Sequence, residues 1–272
     1  MKKEKELVMI ATGRNFMKGI SRYDEDQKNY QSDQDKKLPQ PPLVKAAVSD
    51  VIIPLNKDFS PVSVDLNDIF YSRKSSRVYT KEDISLDELS YLLWATQGVK
   101  SIRGNNYATL RTVPCGGARH EYETYLLVDK VGGLKRGVYH YLPMEHALEF
   151  IKEVDDFALA ADTSLCGQSW TAKANVIFFW AIDCYRVEWR YGAYAHRAAL
   201  IDVGHIGENL YLACAALKLG VCGIASFEHE YCCELFDLDG VNEFVCYAAP
   251  VGTIKDEDKQ KEADFYSFLK EE

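Results

Sequence analysis

Apolar and polar positions alternate along the chain in patterns that predict a small set of elements. Ser85 followed by Glu88 forms a capping box, apolar residues follow at helical spacing, and Gly98 is expected to end this helix in a left-handed conformation. The stretch from Asn175 to Ile182 is apolar without interruption, which is typical of a central strand covered on both faces. Phe244 to Val251 is predicted to be a last buried strand of the same kind.

Further strands and a long helix are predicted between and beside these elements. Thr124 to Asp129 and Val138 to Tyr141 have the composition of two antiparallel strands, and His146 to Ile151 extends this meander. From Val203 to Leu219, apolar and small residues recur at helical spacing, which indicates a long helix that Gly220 ends and that a second copy of the chain could pack against. This order of elements mixes antiparallel and crossover connections, so we predict an α+β fold.

The first fifty or so residues are polar and are expected to be irregular. Asp24 to Lys37 is dense in Asp, Gln and Lys, and the prolines among residues 39–42 oppose helix formation. The apolar cluster from Val51 to Leu55 needs somewhere to bury, either as an edge strand or against a neighbour. We therefore predict an arm over residues 1–64 and one domain over residues 65–272.

Composition narrows the class of protein. With 272 residues and 47% hydrophobic positions, the chain can bury a large core, and its net charge of −9 argues against binding to nucleic acid. No apolar run is long enough to cross a bilayer, so we expect a cytoplasmic protein with small-molecule or peptide partners and no membrane contact. The eight cysteines contain no CxxC pair and no His at metal-ligand spacing, which favours reduced core thiols and no metal.

Two segments contain residue types suited to binding a phosphorylated, flat ligand. Residues 73–77 (RKSSR) interleave three cations with hydroxyl groups that can bind a phosphate, although short basic runs are usually solvated surface. Residues 111–120 (RTVPCGGARH) allow backbone to approach a flat ligand closely, although an ordinary glycine turn explains them as well.

Two further segments flank the predicted long helix. Residues 189–197 (WRYGAYAHR) could stack on a substrate or protonate it, and a helix face packed by tyrosines is the alternative. Residues 219–227 (LGVCGIASF) leave main-chain N–H groups free to face a ring, although a lone Gly-x-x-Gly is nonspecific. It is not the dinucleotide fingerprint, because the glycines follow a helix rather than opening one after a strand.

Together and in this order, these segments resemble the nitroreductase superfamily. The resemblance is specifically to its SagB-type branch of peptide-azoline dehydrogenases, and it runs from about Ser72 to Gly252. It rests on the segments RKSSR, RTVPCGGARHEYETYLLV, RYGAYAHRAALIDVGHIGENLYLA, LKLGVCGIASF and APVG. It implies a nitroreductase-like fold, in which a mainly antiparallel central sheet is flanked by helices. It also implies that FMN binds between the two intertwined subunits of a homodimer.

The resemblance also implies which residues contact FMN. The phosphate and the N1/O2 edge of the ring would be contacted by Arg73, Lys74, Ser75 and Arg77. The other subunit would pack Pro114, Cys115 and Gly116 against the ring. The opposite side would be lined by Gly223, Ile224, Ala225 and Ser226, with an N–H near Ser226 facing N5. Gln168 would offer its side-chain amide to the flavin.

The candidate catalytic residues depart from the family pattern. Azoline-oxidising members resemble one another in a Lys-Tyr pair that removes a proton, whereas this chain has Arg190 and Tyr191 in the matching place. Arginine stays protonated and cannot act as a general base, which leaves Tyr191 as an acid or base helped by Arg190.

We therefore predict an FMN oxidoreductase that passes two electrons from a donor such as NAD(P)H to a small electrophilic molecule. Two alternatives remain open. One is a SagB-type dehydrogenase that oxidises peptide azolines together with a cyclodehydratase, and the other is a flavin-binding protein without turnover.

Overall fold

A computed structural model describes residues 2–19, 29–60 and 62–255 of the chain. The polar tail after Lys255 and residues 24–28 of the predicted irregular stretch lie outside these residues. Within the described part, seven strands form one sheet and two further strands form a separate hairpin. Every pairing between neighbouring strands is antiparallel. The predicted α+β class with an antiparallel central sheet is confirmed.

The elements follow one another without a repeated unit. The helices of the described residues are α1 (Lys2–Lys18), α2 (Leu66–Ser72), α3 (Leu86–Gln97), α4 (Phe157–Ser164), α5 (Cys184–Tyr191), α6 (Ala195–Ala216) and α7 (His229–Phe236). The strands are β1 (Ile52–Pro54), β2 (Val99–Arg103), β3 (Ala108–Arg111), β4 (Tyr122–Val128), β5 (Gly137–Leu142), β6 (Ala147–Glu153), β7 (Val176–Asp183), β8 (Leu219–Val221) and β9 (Glu243–Thr253). Short 3₁₀ helices cover Gly116–Ala118, Ser169–Lys173 and Gly192–Tyr194.

The large sheet has the strand order β1-β6-β5-β4-β7-β9-β8. Its meander β4-β5-β6 and its buried strands β7 and β9 are the strands predicted from the sequence, with ends shifted by a few residues. Strand β7 lies between β4 and β9, which places Phe178 opposite Leu126 and Ala249. The uninterrupted apolar run is therefore an interior strand, as predicted.

Strand β7 is apolar from Val176 to Ile182 because both of its faces are covered. Phe178 and Trp180 belong to a core that also contains residues of α3 and α6. Ile177 and Phe179, on the other face, pack with residues of α4 and α7. Since successive side chains of a strand point to opposite faces, a strand between two helical layers needs apolar residues at every position.

Helix α3 confirms the predicted capping box, but the explanation given for its end was wrong. Ser85 accepts from the Glu88 N–H, and the Glu88 side chain accepts from Ser85. Gly98 ends the helix with φ −59° and ψ 130°, so it is not left-handed. A Cβ on Gly98 would lie 2.4 Å from the Trp94 ring, so glycine is needed for close packing rather than for a positive φ.

The long helix is also displaced from its prediction. Helix α6 begins at Ala195, eight residues before Val203, because only one 3₁₀ turn separates it from α5. It ends at Ala216, and the chain then turns at Lys218, whose φ is 58°. Gly220 lies inside β8, so its predicted role as the helix stop was wrong. A Cβ on Gly220 would lie 2.9 Å from the Ser76 side chain, so strand packing requires glycine there.

The predicted arm contains more regular structure than its composition suggests. Residues 2–18 form α1, which corrects the expectation of an irregular segment, although the side chains of residues 3–18 are exposed. Strand β1 pairs with β6 at the edge of the sheet, as one of the two alternatives for Val51 to Leu55 proposed, and Leu55 enters the core. We keep the division at residue 64 as a proposal.

Two further sequence expectations concern membranes and cysteines. Among the residues described, no helix combines the length and apolar character that crossing a bilayer requires. The eight cysteines are free thiols, and Cys166 is exposed. Five are buried, namely Cys184, Cys214, Cys222, Cys232 and Cys233.

A buried cluster of charged side chains binds the backbone of residues 45–49 to the sheet. His140 lies between two carboxylates, with Nδ1 2.6 Å from Glu149 and Nε2 3.1 Å from Glu123. Glu149 also accepts from the N–H groups of residues 48 and 49, and Glu123 accepts from the N–H of residue 45. Because both ring nitrogens face acceptors, the two carboxylates raise the pKa of His140 in spite of its burial.

The pH dependence of stability tests this cluster. A raised histidine pKa contributes stability that is complete below about pH 6.5 and is lost as the pH rises through the folded value. We expect His140→Gln to lower the free energy of unfolding by about 3–5 kcal/mol at pH 6, and by less at pH 9. Urea unfolding at both pH values measures this difference.

His146 provides the matched control for this experiment. It is also buried, but burial lowers its pKa, so the folded protein keeps it neutral. The penalty of His146→Gln should therefore not shrink between pH 6.5 and pH 9. A His140→Gln penalty of the same size at both pH values would contradict a charged His140.

Candidate functional site

The segment 73–77 leaves α2 and runs beside β8. Asp65 caps α2, and the Arg73 N–H donates to Ile69 O, which closes its last turn. Ser76 then donates its N–H to Val221 O over 2.9 Å, so the segment is extended at this point. The Lys74 side chain is exposed, and it has no ion-pair partner among the described residues.

Tyr211 of α6 contacts both this segment and the loop that follows β8. The Ser75 hydroxyl lies 2.9 Å from the Tyr211 hydroxyl, and the Arg73 guanidinium lies 5.5 Å from the centre of the Tyr211 ring. From the other side, the Gly223 N–H donates to the Tyr211 hydroxyl over 2.7 Å. The structure therefore brings together two segments that the sequence separates by almost 150 positions.

The loop after β8 exposes main chain beyond a fixed point. Ile224 is buried and exchanges two hydrogen bonds with Ala248. Ala225 and Ser226 follow it and are exposed, and their N–H groups have no partner within the described residues. Gly223 cannot be replaced without movement, because its Cβ would lie 1.9 Å from the Tyr247 hydroxyl.

Arg77 contacts the ring of Trp170, and Gln168 lies two residues before Trp170 in the chain. The Arg77 guanidinium is 5.7 Å from the Trp170 ring centre. Gln168 begins the 3₁₀ helix that carries Trp170, and its amide donates to Leu165 O over 3.1 Å within its own turn. Both residues are partly exposed.

The segment Pro114–Gly116 rests on a different part of α6. Gly116 donates its N–H to Asp202 over 2.9 Å, and Pro114 is exposed. Gly117 has φ 59°, and a Cβ there would lie 2.3 Å from Arg190 Nε, so both conformation and space require glycine. The chain is thereby pressed against α5 and α6.

A thiol and two carboxyl groups meet beneath this segment. Cys115 Sγ lies 3.2 Å from Glu121 Oε2 and 3.5 Å from Asp202 Oδ2. The sulfur atom and one carboxylate oxygen of each acid all lie within 4.8 Å of one another. Burial and the two carboxyl groups raise the pKa of Cys115 far above its usual range. Burial and the neighbouring Asp202 also raise the pKa of Glu121 to about 7.

Arg190 and Tyr191 end α5 next to the same segment. Arg190 donates to the Tyr107 hydroxyl over 2.5 Å and to Gln34 over 3.1 Å. Its guanidinium lies 5.5 Å from the Tyr191 ring centre, and the hydroxyl groups of Tyr191 and Tyr107 raise its pKa. Arg190 therefore stays charged, and a Cβ on Gly116 would lie 3.8 Å from the Tyr191 hydroxyl.

Helix α6 separates the predicted site residues of one chain into two half-sites. We call the first the phosphate half-site, which consists of residues 73–77 and 223–226 at Tyr211. The second is the tyrosine half-site, which consists of residues 114–116 and 190–191 at Asp202. Asp202 and Tyr211 are nine residues apart on α6, which corresponds to about 14 Å along the helix.

Several residues beside these half-sites were not predicted from the amino-acid sequence. Tyr211 lies in a helical pattern in which a tyrosine is ordinary, and Trp170 lies in a turn with no recognisable motif. Glu121 and Glu123 could have been noticed, since two carboxylates alternate there with apolar residues at the start of a buried strand. Asp202 becomes significant only through its contact with Gly116.

The fold and the two half-sites define a class of α+β protein with glycine-bordered main chain beside a basic loop. The family model described as the nitroreductase family matches residues 71–253. The chain belongs to the nitroreductase family, whose members are oxidoreductases that typically bind flavin. The match spans both half-sites, from residue 73 to residue 226.

Two curated relatives are similar to the chain in sequence. A Methanocaldococcus jannaschii protein, MJ1384, which carries the name nitroreductase, is 32% identical over 192 residues, covering 70% of this chain and 91% of the relative. The trifolitoxin-processing protein TfxB of Rhizobium leguminosarum bv. trifolii is 33% identical over 145 residues, covering 50% of this chain and 39% of TfxB.

Solved structures confirm the fold. A crystal structure from Ralstonia eutropha, also named a nitroreductase, covers 80% of this chain and 95% of its own, with a TM-score of 0.64 and 23% identity. The second match is a chain of the Escherichia coli microcin synthetase McbBCD complex with truncated pro-MccB17 bound. It covers 93% of this chain and 94% of its own, with a TM-score of 0.57 and 19% identity.

The raised pKa of Glu121 predicts an unusual response to pH. A carboxyl group that is harder to ionise when folded makes the protein less stable as the pH rises from about 4.5 to about 7. Glu121→Gln removes this ionisation, so its stability relative to the unmodified protein should improve by up to about 3 kcal/mol between pH 5 and pH 8. Chemical unfolding at the two pH values measures the change.

Glu123→Gln is the opposite control, two residues along the chain. Arg186 and His140 lower the pKa of Glu123 in spite of its burial, so its charge stabilises the fold above about pH 4.5. This variant should be destabilised at both pH 5 and pH 8. If Glu121→Gln behaved in the same way, the proposed difference between the two carboxyl groups would be wrong.

Proposed function

We propose that this nitroreductase-family protein is an FMN-dependent oxidoreductase that moves two electrons from a donor such as NAD(P)H to a small electrophilic substrate. The observation that carries the proposal is the meeting of residues 73–77 and 223–226 at Tyr211. Cations, hydroxyl groups and free main-chain N–H groups lie together there, and these are the donors that a phosphorylated, electron-accepting ring requires.

The residues of the phosphate half-site fit the phosphate end of FMN. Arg73 contacts only the face of the Tyr211 ring among the interactions found for its guanidinium, so its N–H groups remain able to bind an anion. Lys74 is exposed without an ion-pair partner in the described part of the chain, and Ser75 adds a hydroxyl group. A phosphate would gain charge-assisted hydrogen bonds from all three.

The main chain of the same half-site fits the ring end of FMN. The N–H groups of Ala225 and Ser226 can face N5, while Ile224 fixes their position through Ala248. Arg77, held over Trp170, would place a cation near the N1/O2 edge, with the Gln168 side chain nearby. FMN supplies the two-electron chemistry when it is bound, and the chain supplies position and polarity.

Completing the site requires the tyrosine half-site of a second copy. We propose a homodimer in which Pro114, Cys115 and Gly116 of one subunit pack on the ring held by the other. The distance of about 14 Å along α6 between the two half-sites of one chain supports this arrangement. Leu200 and Ile201 of α6 are more than half exposed, which provides apolar surface for the partner. The Cys115 thiol already contacts Glu121 and Asp202, so main chain would make the ring contact.

Arg190 and Tyr191 are proposed to handle protons at the substrate. Arg190 cannot remove a proton, because its pKa is raised and its guanidinium is already bonded to Tyr107 and Gln34. Its guanidinium instead lies 5.5 Å from the centre of the Tyr191 ring and places a positive charge beside that side chain. Tyr191 would then give a proton to a substrate that is being reduced, or take one from a substrate that is being oxidised.

TfxB favours a second candidate function. Its name describes processing of trifolitoxin, and it shares 33% identity over half of this chain. We therefore retain the SagB-type alternative, in which the chain oxidises peptide azolines together with a cyclodehydratase. The replacement of lysine by Arg190 weighs against it, because Tyr191 alone would have to remove the substrate proton.

Spectroscopy of the purified protein separates these functions. We expect a yellow protein that binds FMN and whose visible absorbance is bleached by NADH or NADPH under anaerobic conditions. Persistent colour with NAD(P)H, together with oxidation of a synthetic azoline peptide, would favour the second candidate. Bound flavin with neither reaction would indicate a non-catalytic flavin-binding protein. Failure to bind added FMN would refute all three functions.

Two substitutions test the separate roles of the half-sites. Arg73→Ala removes a cationic side chain that would contact the phosphate. We therefore expect the dissociation constant for FMN to rise by about tenfold to a hundredfold, as for a charged hydrogen bond of about 1.5–3 kcal/mol. Tyr191→Phe should leave FMN binding within about twofold and slow turnover by about a hundredfold or more. Fluorescence titration and steady-state kinetics measure the two effects. Equal loss of FMN in both variants would contradict this division.

A further inference from the structure

Three hydrogen-bonding groups are connected in series, from the Gly223 N–H through the Tyr211 hydroxyl to the Ser75 hydroxyl. The Gly223 N–H donates to the Tyr211 hydroxyl over 2.7 Å, and that hydroxyl lies 2.9 Å from Ser75 Oγ. We propose that Tyr211 is a positioning residue that makes Ser75 a hydrogen-bond donor to the phosphate of the bound flavin. This inference rests on the proposed function, because it assigns the phosphate as the acceptor.

The direction of donation in this hydrogen-bond series follows from the donor and acceptor properties of each group. A backbone N–H can only donate, so Gly223 occupies an oxygen lone pair of Tyr211. A phenol is more acidic than an aliphatic alcohol, so the Tyr211 proton is the one shared with Ser75 Oγ. The Ser75 proton is then left over, and the Ser75 hydroxyl has no other partner within the described residues.

The Tyr211 side chain also contacts a cation, the guanidinium of Arg73. The Arg73 guanidinium lies 5.5 Å from the centre of the Tyr211 ring, within the range of a cation–π contact. Arg73 and Ser75 are two residues apart, and the side chains of both contact Tyr211. An anion bound between them would accept a hydrogen bond from each.

The Gly223 end of the hydrogen-bond series is fixed by its neighbours. Ile224, next to Gly223, exchanges hydrogen bonds of 2.7 and 3.0 Å with Ala248. Tyr247 fills the space where a Gly223 side chain would lie. Each donor in such a series polarises the next, so an anion at Ser75 is bound more strongly than by an isolated hydroxyl.

Comparison of FMN with riboflavin tests the proposal, because riboflavin has the same ring but no phosphate. We expect Tyr211→Phe to raise the dissociation constant for FMN by about tenfold and that for riboflavin by less than about threefold. Ser75→Ala should show the same selectivity, and the double variant should bind FMN no more than about twofold more weakly than Ser75→Ala. Quenching of flavin fluorescence on titration with each protein gives all of these constants.

Tyr247→Phe is the matched control, since its hydroxyl also lies at Gly223 but belongs to a side chain stacked on Trp180. It should change the affinities for FMN and riboflavin by the same small factor. Far-UV circular dichroism verifies that each variant is folded, and Ser75→Ala tests the donor independently of any change in α6.

Three results would overturn the inference. They are equal losses for FMN and riboflavin in Tyr211→Phe, unchanged FMN affinity in that variant, and fully additive losses in the double variant. An unmodified protein that binds neither flavin would instead refute the proposed function, so the two failures are distinguishable.

Discussion

Packing of helix α6 against the sheet is the contact on which the rest of the site depends. The helix approaches closely because Gly207 leaves room for the Tyr247 ring of β9, where a Cβ would lie only 2.6 Å from that ring. In this position, Asp202 holds the Gly116 backbone and Tyr211 holds Ser75 and Gly223. A shift of α6 would therefore move both half-sites together, although no two of the loops are neighbours in sequence.

Buried charge gives two carboxyl groups at the start of β4 opposite pKa shifts. Near Asp202, the Glu121 carboxyl and the Cys115 thiol lie among other acidic groups, and the pKa values of both are raised. Two residues along the chain, Glu123 faces Arg186 and His140, and its pKa is lowered. The same residue type thus has a raised pKa at one position and a lowered pKa two residues further on, because Arg186 and His140 form hydrogen bonds with the second carboxyl group.

The residues before the family match also take part in this arrangement. Gln34 accepts a hydrogen bond from Arg190, and the backbone between residues 45 and 49 donates to the buried carboxylates of Glu123 and Glu149. The N-terminal region therefore covers the sheet and orients a candidate catalytic residue. In the proposed enzyme, removing this region would alter the position of Arg190 even though FMN contacts lie elsewhere.

The amino-acid sequence alone determined the strands β4 to β7 and β9, the capped helix and the class of fold, because these follow from local periodicity and from side chains that interact within one turn. The uninterrupted run that became β7 and the Ser85–Glu88 box are examples. It also indicated residues 73–77 and 223–226, since clusters of cations and glycines are visible without a structure.

Only the tertiary structure decided how these pieces meet. Gly98 and Gly220 suggested helix ends, yet their true constraints are the Trp94 ring and the Ser76 side chain. Tyr211 and Asp202 had no local signal, because their importance arises from contacts with residues more than 80 positions away. Local patterns depend on neighbours along the chain, whereas a binding site depends on which distant backbone groups a packed helix brings within hydrogen-bonding distance.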